Sequence, residues 1–419
     1  MIKEKNRKLI VGLEIGTTKI ITLIGEIVTD GIINVVGIGI CPSLGIIKGI
    51  INDFKSVVKC IKKSIHQAEN MADYHVSSVY LAISNKYISC QNEVGIVPIS
   101  KHEVTIQDVK NVIHTAKCVR IRNKHHILHI IPQEYSIDHH VGIHNPIGLS
   151  GKRIKTRVHL ITCLTEVKKN ILKAVETCGI KVNRVIFSGL ASSQAVLTKD
   201  EQKLGVCMAD IGGGTIDISM YVNGTLQYSC VIPYAGNSVT NDIAYALNIP
   251  FKKAEIIKIQ YGLAEIPSSQ NIHKKIEIAQ IDNKSVKTFE QCSLIKIIEL
   301  RYTELLNLIN KEILNIQDKL QESKNYYKLG AGIVFTGGAS KIKLLTQNAK
   351  KIFNMPIRIG RPEKNGNVVN NIEKSNYSTA VGLLYYGKQH YQNYKKNKMS
   401  KNIFKKWFNS FNNWIKKAL

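Results

Sequence analysis

Two distant segments share one pattern of apolar and polar positions. Leu9–Ile20 (LIVGLEIGTTKI) and Val206–Ile218 (VCMADIGGGTIDI) each read as a short apolar strand, one acid, a Gly-rich turn with Thr, and a second β-branched strand. Glu14 and Asp210 hold the same place in that pattern, which predicts an α/β fold built from two related halves. Between them, Ser56–Met71 carries helical spacing through Val57, Val58, Ile61 and Ile65, and Ser78–Ser84 reads as a strand. The stretch Asn85–Leu160 alternates β-rich runs (Val94–Ile99, His126–Tyr135, Lys155–Thr162) with one helix opened by Thr105, and suits a compact inserted β-α-β-β subdomain. Glu166–Cys178 reads as a helix and Val182–Phe187 as a strand, followed by the small-residue run Ser188–Ser193.

The second half continues with helices over Ser238–Leu247 and Lys252–Tyr261, then a polar loop and edge strand over Pro267–Phe289. A long amphipathic helix over Ser293–Glu322 has a stripe of Leu300, Leu305, Leu308, Ile309, Ile313, Ile316 and Leu320. Ala331–Gly338 is a strand entering a Gly pair. Ser378–Gly387 closes the folded part as a helix, and Lys388–Ser400 is a Lys-rich linker.

Composition narrows the function classes. A chain of 419 residues with 44% hydrophobic residues predicts roughly two to four domains with real cores. No run of 18 or more apolar residues exists, so no ordinary membrane-spanning helix is expected, and the N-terminus lacks a signal-peptide pattern. We expect a cytosolic chain. Nine Cys, scattered and without a C-x-x-C pair, indicate neither a zinc site nor a disulfide framework. His125/His129 and His140/His144 are four apart, but on strands they stand about 13 Å apart, too far to share one ion. The net charge of +27 would attract nucleic acid non-specifically, yet no recognition motif accompanies it. Its distribution is more informative, because no acidic residue follows Glu373.

Three Gly-rich turns follow β-rich segments: Gly16-Thr17-Thr18, Gly212-Gly213-Gly214-Thr215 and Gly337-Gly338. Glycine lets backbone N–H groups close on phosphate oxygens, Thr adds donors, and an acid before the turn can hold Mg²⁺ through water. The set predicts a nucleoside triphosphate in a cleft between the halves. No G-x-x-x-x-G-K-[ST] occurs, which excludes a P-loop protein.

The motifs GLEIGTTK, DIGGGT and GIVFTGGA resemble the phosphate-1, phosphate-2 and adenosine motifs of the actin/Hsp70/sugar-kinase superfamily. Within it, SCQNEVGIVPIS (89–100), IIPQEYSID (130–138), GLASS (189–193), IPYAGNSVTNDIAYA (232–246), RYTELLNL (301–308) and YSTAVGLL (377–384) make the chain similar to the bacterial cell-division branch. The resemblance implies an actin-like (ribonuclease-H-like) duplicated two-domain ATPase fold with an inserted subdomain 1C and a C-terminal amphipathic helix. Subdomain 1A would take 1–84, 164–204 and 361–387, with 1C at 85–163. Subdomain 2A would take 205–230 and 304–360 and 2B 231–303, before a linker at 388–401 and the helix at 402–419.

The resemblance also implies ATP contacts from Gly16, Thr17, Thr18 and Lys19 in the first half. Asp210, Gly212, Gly213, Gly214 and Thr215 would meet the phosphates from the second, with Gly236 and Asn237 in the next turn. Glu255 and Lys258 would meet ribose or adenine, and Gly337 and Gly338 the adenosine. Glu14 and Asp210 would face Mg²⁺ through water, with Asp210 the catalytic candidate. Two departures bear on turnover. Glu14 stands where many members carry Asp, and Ser188-Gly189-Leu190 where chaperone-type members carry a catalytic Glu. The expectation is firm ATP binding with slow or negligible hydrolysis.

Residues 403–419 (IFKKWFNSFNNWIKKAL) carry an independent signal. On a helical wheel Phe404, Trp407, Phe408, Phe411, Trp414 and Ile415 share one face with Ile403, Ala418 and Leu419, while Lys405, Lys406, Lys416 and Lys417 flank it. That composition suits a helix lying in an anionic bilayer interface. By resemblance, the implied function is an ATP-bound polymer that anchors the tubulin-like FtsZ ring to the inner membrane at the septum. The FtsZ C-terminal tail would dock near Arg301 and Glu304, and later division proteins on 1C. A soluble small-molecule kinase is the alternative, though no convincing substrate-side Asp motif is found. An Hsp70-like chaperone would need a following substrate domain, and a DNA-segregating filament fits the tail poorly.

Overall fold

The computed structural model describes residues 7–28, 31–267, 275–279, 286–322, 328–363 and 372–392. The first half opens with β1 (Leu9–Ile15), β2 (Lys19–Ile27) and β3 (Ile33–Pro42), an antiparallel meander joined by short turns. A two-residue hairpin of β4 (Ile46–Ile47) and β5 (Ile50–Ile51) leads into α1 (Phe54–Ala72). Asp53 caps that helix by accepting from Ser56 N at 3.2 Å. Its apolar face, with Val57, Ile61, Ile65 and Ala68, is buried on the sheet. Gly39 of β3 permits the approach: a Cβ there would stand 1.7 Å from the Ser64 carbonyl oxygen. The chain then returns as β6 (Ser78–Ile83), parallel to β1.

Residues 89–164 leave the sheet to form a separate layer. Strands β7 (Ser89–Pro98), β8 (His125–Ile137), β9 (His140–Ile143) and β10 (Arg153–Leu164) pair antiparallel in the order β7-β10-β8-β9. Helix α2 (Ile106–Lys117) covers this sheet. Thr105 opens it in a reciprocal capping box with Asp108. After α3 (Thr165–Glu176) the chain rejoins the first sheet as β11 (Lys181–Phe187), then forms α4 (Ser188–Val196) and α5 (Lys199–Leu204).

The second half repeats the plan. Strands β12 (Val206–Ile211), β13 (Ile216–Val222) and β14 (Thr225–Ile232) form the meander, and α6 (Gly236–Leu247) and α7 (Phe251–Tyr261) follow. A hairpin of β15 (Lys275–Ala279) and β16 (Val286–Glu290) precedes α8 (Gln291–Glu322). Then come β17 (Gly332–Thr336), α9 (Leu345–Ile352), β18 (Ile357–Ile359) and a closing helix α10 over 378–392. The sheet orders are β11-β6-β1-β2-β3 and β18-β17-β12-β13-β14. Corresponding pairs run in the same sense in both sheets, three strands antiparallel and two added in parallel. The duplication expected from Glu14 and Asp210 is therefore present strand for strand. Each half has its own large apolar core, and α10 adds Leu383 and Leu384 to the first.

Some local expectations change. Leu300 is 74% exposed, because the buried stripe of α8 runs through Leu294, Ile298, Tyr302, Leu305, Ile309 and Ile313, and Leu300 falls between two of its turns. Leu308 is only partly buried, and the Leu320 side chain lies outside the described residues. The closing helix runs five residues beyond Gly387, into the expected linker. Gly387 does not terminate it but lets it pack closely, since a Cβ would stand 2.5 Å from Ile10 Cγ2. The rest of the linker and the whole amphipathic segment, including Phe404, Trp407, Phe408, Phe411, Trp414, Ile415 and the Lys405, Lys406, Lys416 and Lys417 pairs, lie outside the described residues.

Candidate functional site

The central strands β1 and β12 end in matching turns. Gly16 N–H donates to Lys19 O at 3.0 Å, and Gly212 N–H donates to Thr215 O at 2.9 Å. The two turns face each other across a cleft between the halves. Their tips meet so closely that a Cβ on Gly213 would lie 2.2 Å from Thr18 Cγ2, and one on Gly214 would lie 2.5 Å from Thr17 Oγ1. Any larger residue at either position would have to displace the facing Thr side chain. The third turn completes the floor. At the end of β17, Gly337 adopts φ +90° and its N–H donates to Ser375 O at 3.1 Å, beside the Asp210 carboxylate. Gly338 faces open space, the nearest neighbour of a Cβ there being Asn376 Cβ at 4.0 Å.

The cleft thus gathers Glu14, Gly16, Thr17, Thr18 and Lys19 with Asp210, Gly212, Gly213, Gly214, Thr215, Gly337 and Gly338. Four expected contacts sit behind it instead. Gly236 and Asn237 at the start of α6 donate backbone N–H groups to Gly212 O at 3.1 Å and Gly213 O at 2.7 Å. Lys258, nearly buried, pairs with Glu255 Oε2 at 2.7 Å and donates to Gly236 O at 3.1 Å. In this structure these four residues brace the second Gly turn rather than line the cleft.

Three carboxylates meet here in a buried setting. Burial, outweighing the nearby Lys19 ammonium, pushes Glu14 up to about 7, and its Oε2 has no hydrogen-bond partner among the described residues. Burial also raises Asp210, which accepts from Ser192 Oγ at 2.5 Å and Thr379 Oγ1 at 3.1 Å. Asp217 is raised well above the usual carboxylate range by burial and by the charges of Asp210 and Glu14, and it accepts a bond from Ser84 Oγ. Burial lowers Lys19, whose Nζ donates to Asn376 O at 2.6 Å. Ser188, where a catalytic Glu was missing from the sequence, lines the cleft at the start of α4.

Sequence reasoning missed Asp217, Ser84, Asn376 and Thr379. Asp217 had a signal, as the one charged residue in the strand IDISMYV. Thr379 lay within the YSTAVGLL motif without being singled out, while Ser84 and Asn376 arrive from distant segments and had no local signal. Arg301 and Glu304 sit apart from the cleft on α8. Arg301 forks onto Asp242 of α6 at 2.5 and 3.0 Å and donates to Glu304 Oε2 at 2.6 Å.

The model of the family "Cell division protein FtsA" matches residues 207–382, and the model of the "SHS2 domain inserted in FTSA" matches 85–162. The cell division protein FtsA of Buchnera aphidicola subsp. Baizongia pistaciae is 59% identical over 421 residues, all of both chains. That of Escherichia coli K12 is 51% identical over 420 residues, again all of both. The chain belongs to the FtsA family of cell-division proteins. Its layer over 89–164 is the family's inserted SHS2 domain. Among solved structures it is similar to the PilM-PilN type IV pilus biogenesis complex, with a TM-score of 0.61 at 14% identity, covering 90% of this chain and 98% of that one. It is similar also to MreB 5 of Spiroplasma citri bound to AMPPNP, with a TM-score of 0.56 at 14% identity over 93% and 99%. Those likenesses give the FtsA-family chain an actin-like fold.

Proposed function

We propose that the chain binds ATP with Mg²⁺ in the cleft, polymerises on the inner membrane and anchors the FtsZ ring to it. The observation that carries the nucleotide reading is the pair of Gly–Thr turns closing on one cleft from two halves. The residues fit the group. Backbone N–H groups and Thr hydroxyls suit phosphate oxygens, and Lys19 supplies the positive charge. The unpartnered Glu14 Oε2, with Asp210 and Asp217 nearby, suits a cation. Among the described residues no three such groups are arranged to hold a metal by themselves, so Mg²⁺ would be held through phosphate and water. Bound Mg²⁺ would supply charge neutralisation to the β- and γ-phosphates.

Gly236, Asn237, Glu255 and Lys258 act in this reading by fixing the second Gly turn, and by meeting the nucleoside when the halves close on it. Slow or negligible hydrolysis belongs to this reading, because Ser188 stands at the start of α4 and offers no carboxylate base to a water in the cleft. MreB 5 of Spiroplasma citri, which shares the fold, is bound to AMPPNP, which supports the nucleotide class.

The tail sequence supports the membrane half of the proposal, at the cytoplasmic face of the bacterial inner membrane. Subdomain 1C (85–163) would serve neighbours in the polymer and later division proteins. Subdomain 2B (231–303) would receive the FtsZ tail near Arg301 and Glu304 at its border with 2A. The test of the cleft is equilibrium binding of a fluorescent ATP analogue. Lys19→Ala should weaken Mg²⁺-dependent binding about tenfold or more, the loss of one charge-assisted phosphate contact. Unchanged affinity would remove the phosphates from this cleft.

A further inference from the structure

We propose that the seam between the inserted SHS2 domain and the first half holds a second ligand site, selective for a small oxyanion on a short apolar stem. A pocket of about 310 Å³ lies there, with walls from β8, α3, β11 and α10. Among the described residues its lining includes Lys168 and Arg184 but no Asp or Glu. Neither cation makes an ion pair or hydrogen bond among the described residues.

A buried imidazole gives the pocket its direction. His129 is only 8% exposed and accepts the Phe187 backbone N–H on Nε2 at 2.9 Å. A neutral ring with Nε2 as acceptor carries its proton on Nδ1. That N–H has no partner among the described residues, and His129 lines the pocket. Tyr386 holds the ring edge-on at 6.4 Å. Burial, followed by the charges of Arg184 and Lys168, pushes His129 down to about 4, so the ring is a neutral donor, and burial also lowers the neighbouring Lys168 ammonium. One N–H donor, one ammonium and one guanidinium lining one pocket, with no acid among its described lining residues, form a phosphate- or carboxylate-binding set. Leu128, Leu172 and the Tyr386 ring offer an apolar wall beside it. A ligand seated there would touch the inserted domain and the first half together and fix one against the other. The cleft described above plays no part in this site.

The test uses the full chain with isotope-labelled histidine. The His129 ring resonances, assigned by their loss in His129→Gln, are followed during titration with inorganic phosphate, butyl phosphate and butyrate at constant ionic strength. We expect a saturable shift, with butyl phosphate binding more tightly than inorganic phosphate. Response to the phosphates alone makes the natural ligand a phosphate ester, and response to butyrate as well extends it to carboxylates; both support the site. The Lys168→Gln/Arg184→Gln variant should lose at least about tenfold in apparent affinity while binding ATP as the parent does, which shows the fold intact. Absence of a saturable shift, or the same shift in the double variant, overturns the proposal. The two single variants, each with a partial loss expected, serve if the double variant does not fold.

Discussion

Glu14 joins the chemistry of the cleft to the stability of the fold. Its carboxyl titrates near 7 in the folded chain against 4.5 as the ordinary value, chiefly because of burial. Between those pH values the unfolded chain releases a proton that the folded chain keeps. Stability without nucleotide therefore falls as pH rises from about 4.5 to about 7, and the full penalty remains above that. Asp210 and Asp217 act in the same direction. Glu14→Gln should stabilise the nucleotide-free chain at pH 8, by on the order of 3 kcal/mol, and change little at pH 4. Denaturant midpoints at the two pH values read this. An equal effect at both would mean that the carboxylate's charge is not the cost.

Helices α6 and α8 are joined on their outer side by the Arg301 fork. The three side chains, Asp242, Arg301 and Glu304, are roughly a quarter to a half exposed, so the interaction is worth about 1 kcal/mol at most. Arg301→Ala should lower the unfolding free energy read from urea curves by that amount, whereas Glu304→Lys leaves the bidentate contact with Asp242 and should barely move it. If the FtsZ tail docks there, Glu304→Lys shifts tail-peptide affinity at nearly constant stability. Equal tail binding by Glu304→Lys and parent would move the contact elsewhere.

The sequence made some elements legible and hid others for a physical reason. The turns at Gly16, Gly212 and Gly337, the Thr105 cap and the duplicated hairpins are local patterns, readable within a dozen residues. The contact of Gly213 with Thr18, the donors from Ser84 and Thr379 to the acids, and the brace under the second turn depend on segments far apart in the chain. No periodicity encodes such meetings. The extent of α10 past Gly387 was hidden for the same reason, because that glycine answers to Ile10, not to the helix end.

Across the molecule, two sheets of identical order are joined at the cleft, and the inserted domain touches both halves. On one side Phe187 N–H meets His129. On the other, His159 bonds Ser229 of β14 at 2.9 Å and Gln133 bonds Leu226 O at 2.8 Å. The inserted domain is thus hydrogen-bonded to both halves and bridges them beside the cleft. The segment beyond 392 carries both Trp residues of the chain with a run of Lys and no acid. Trp407→Glu with Trp414→Glu should abolish binding to anionic vesicles and leave ATP affinity unchanged. Vesicle binding that survives the pair would assign the membrane contact to another surface.

The most direct measurement is co-sedimentation with anionic liposomes, with and without ATP and Mg²⁺, comparing the full chain with one ending at Ser400. A nucleotide-gated, membrane-tethered polymer pellets only with its tail, and pellets more strongly with ATP. Equal pelleting by both chains, or pelleting indifferent to ATP, would contradict it.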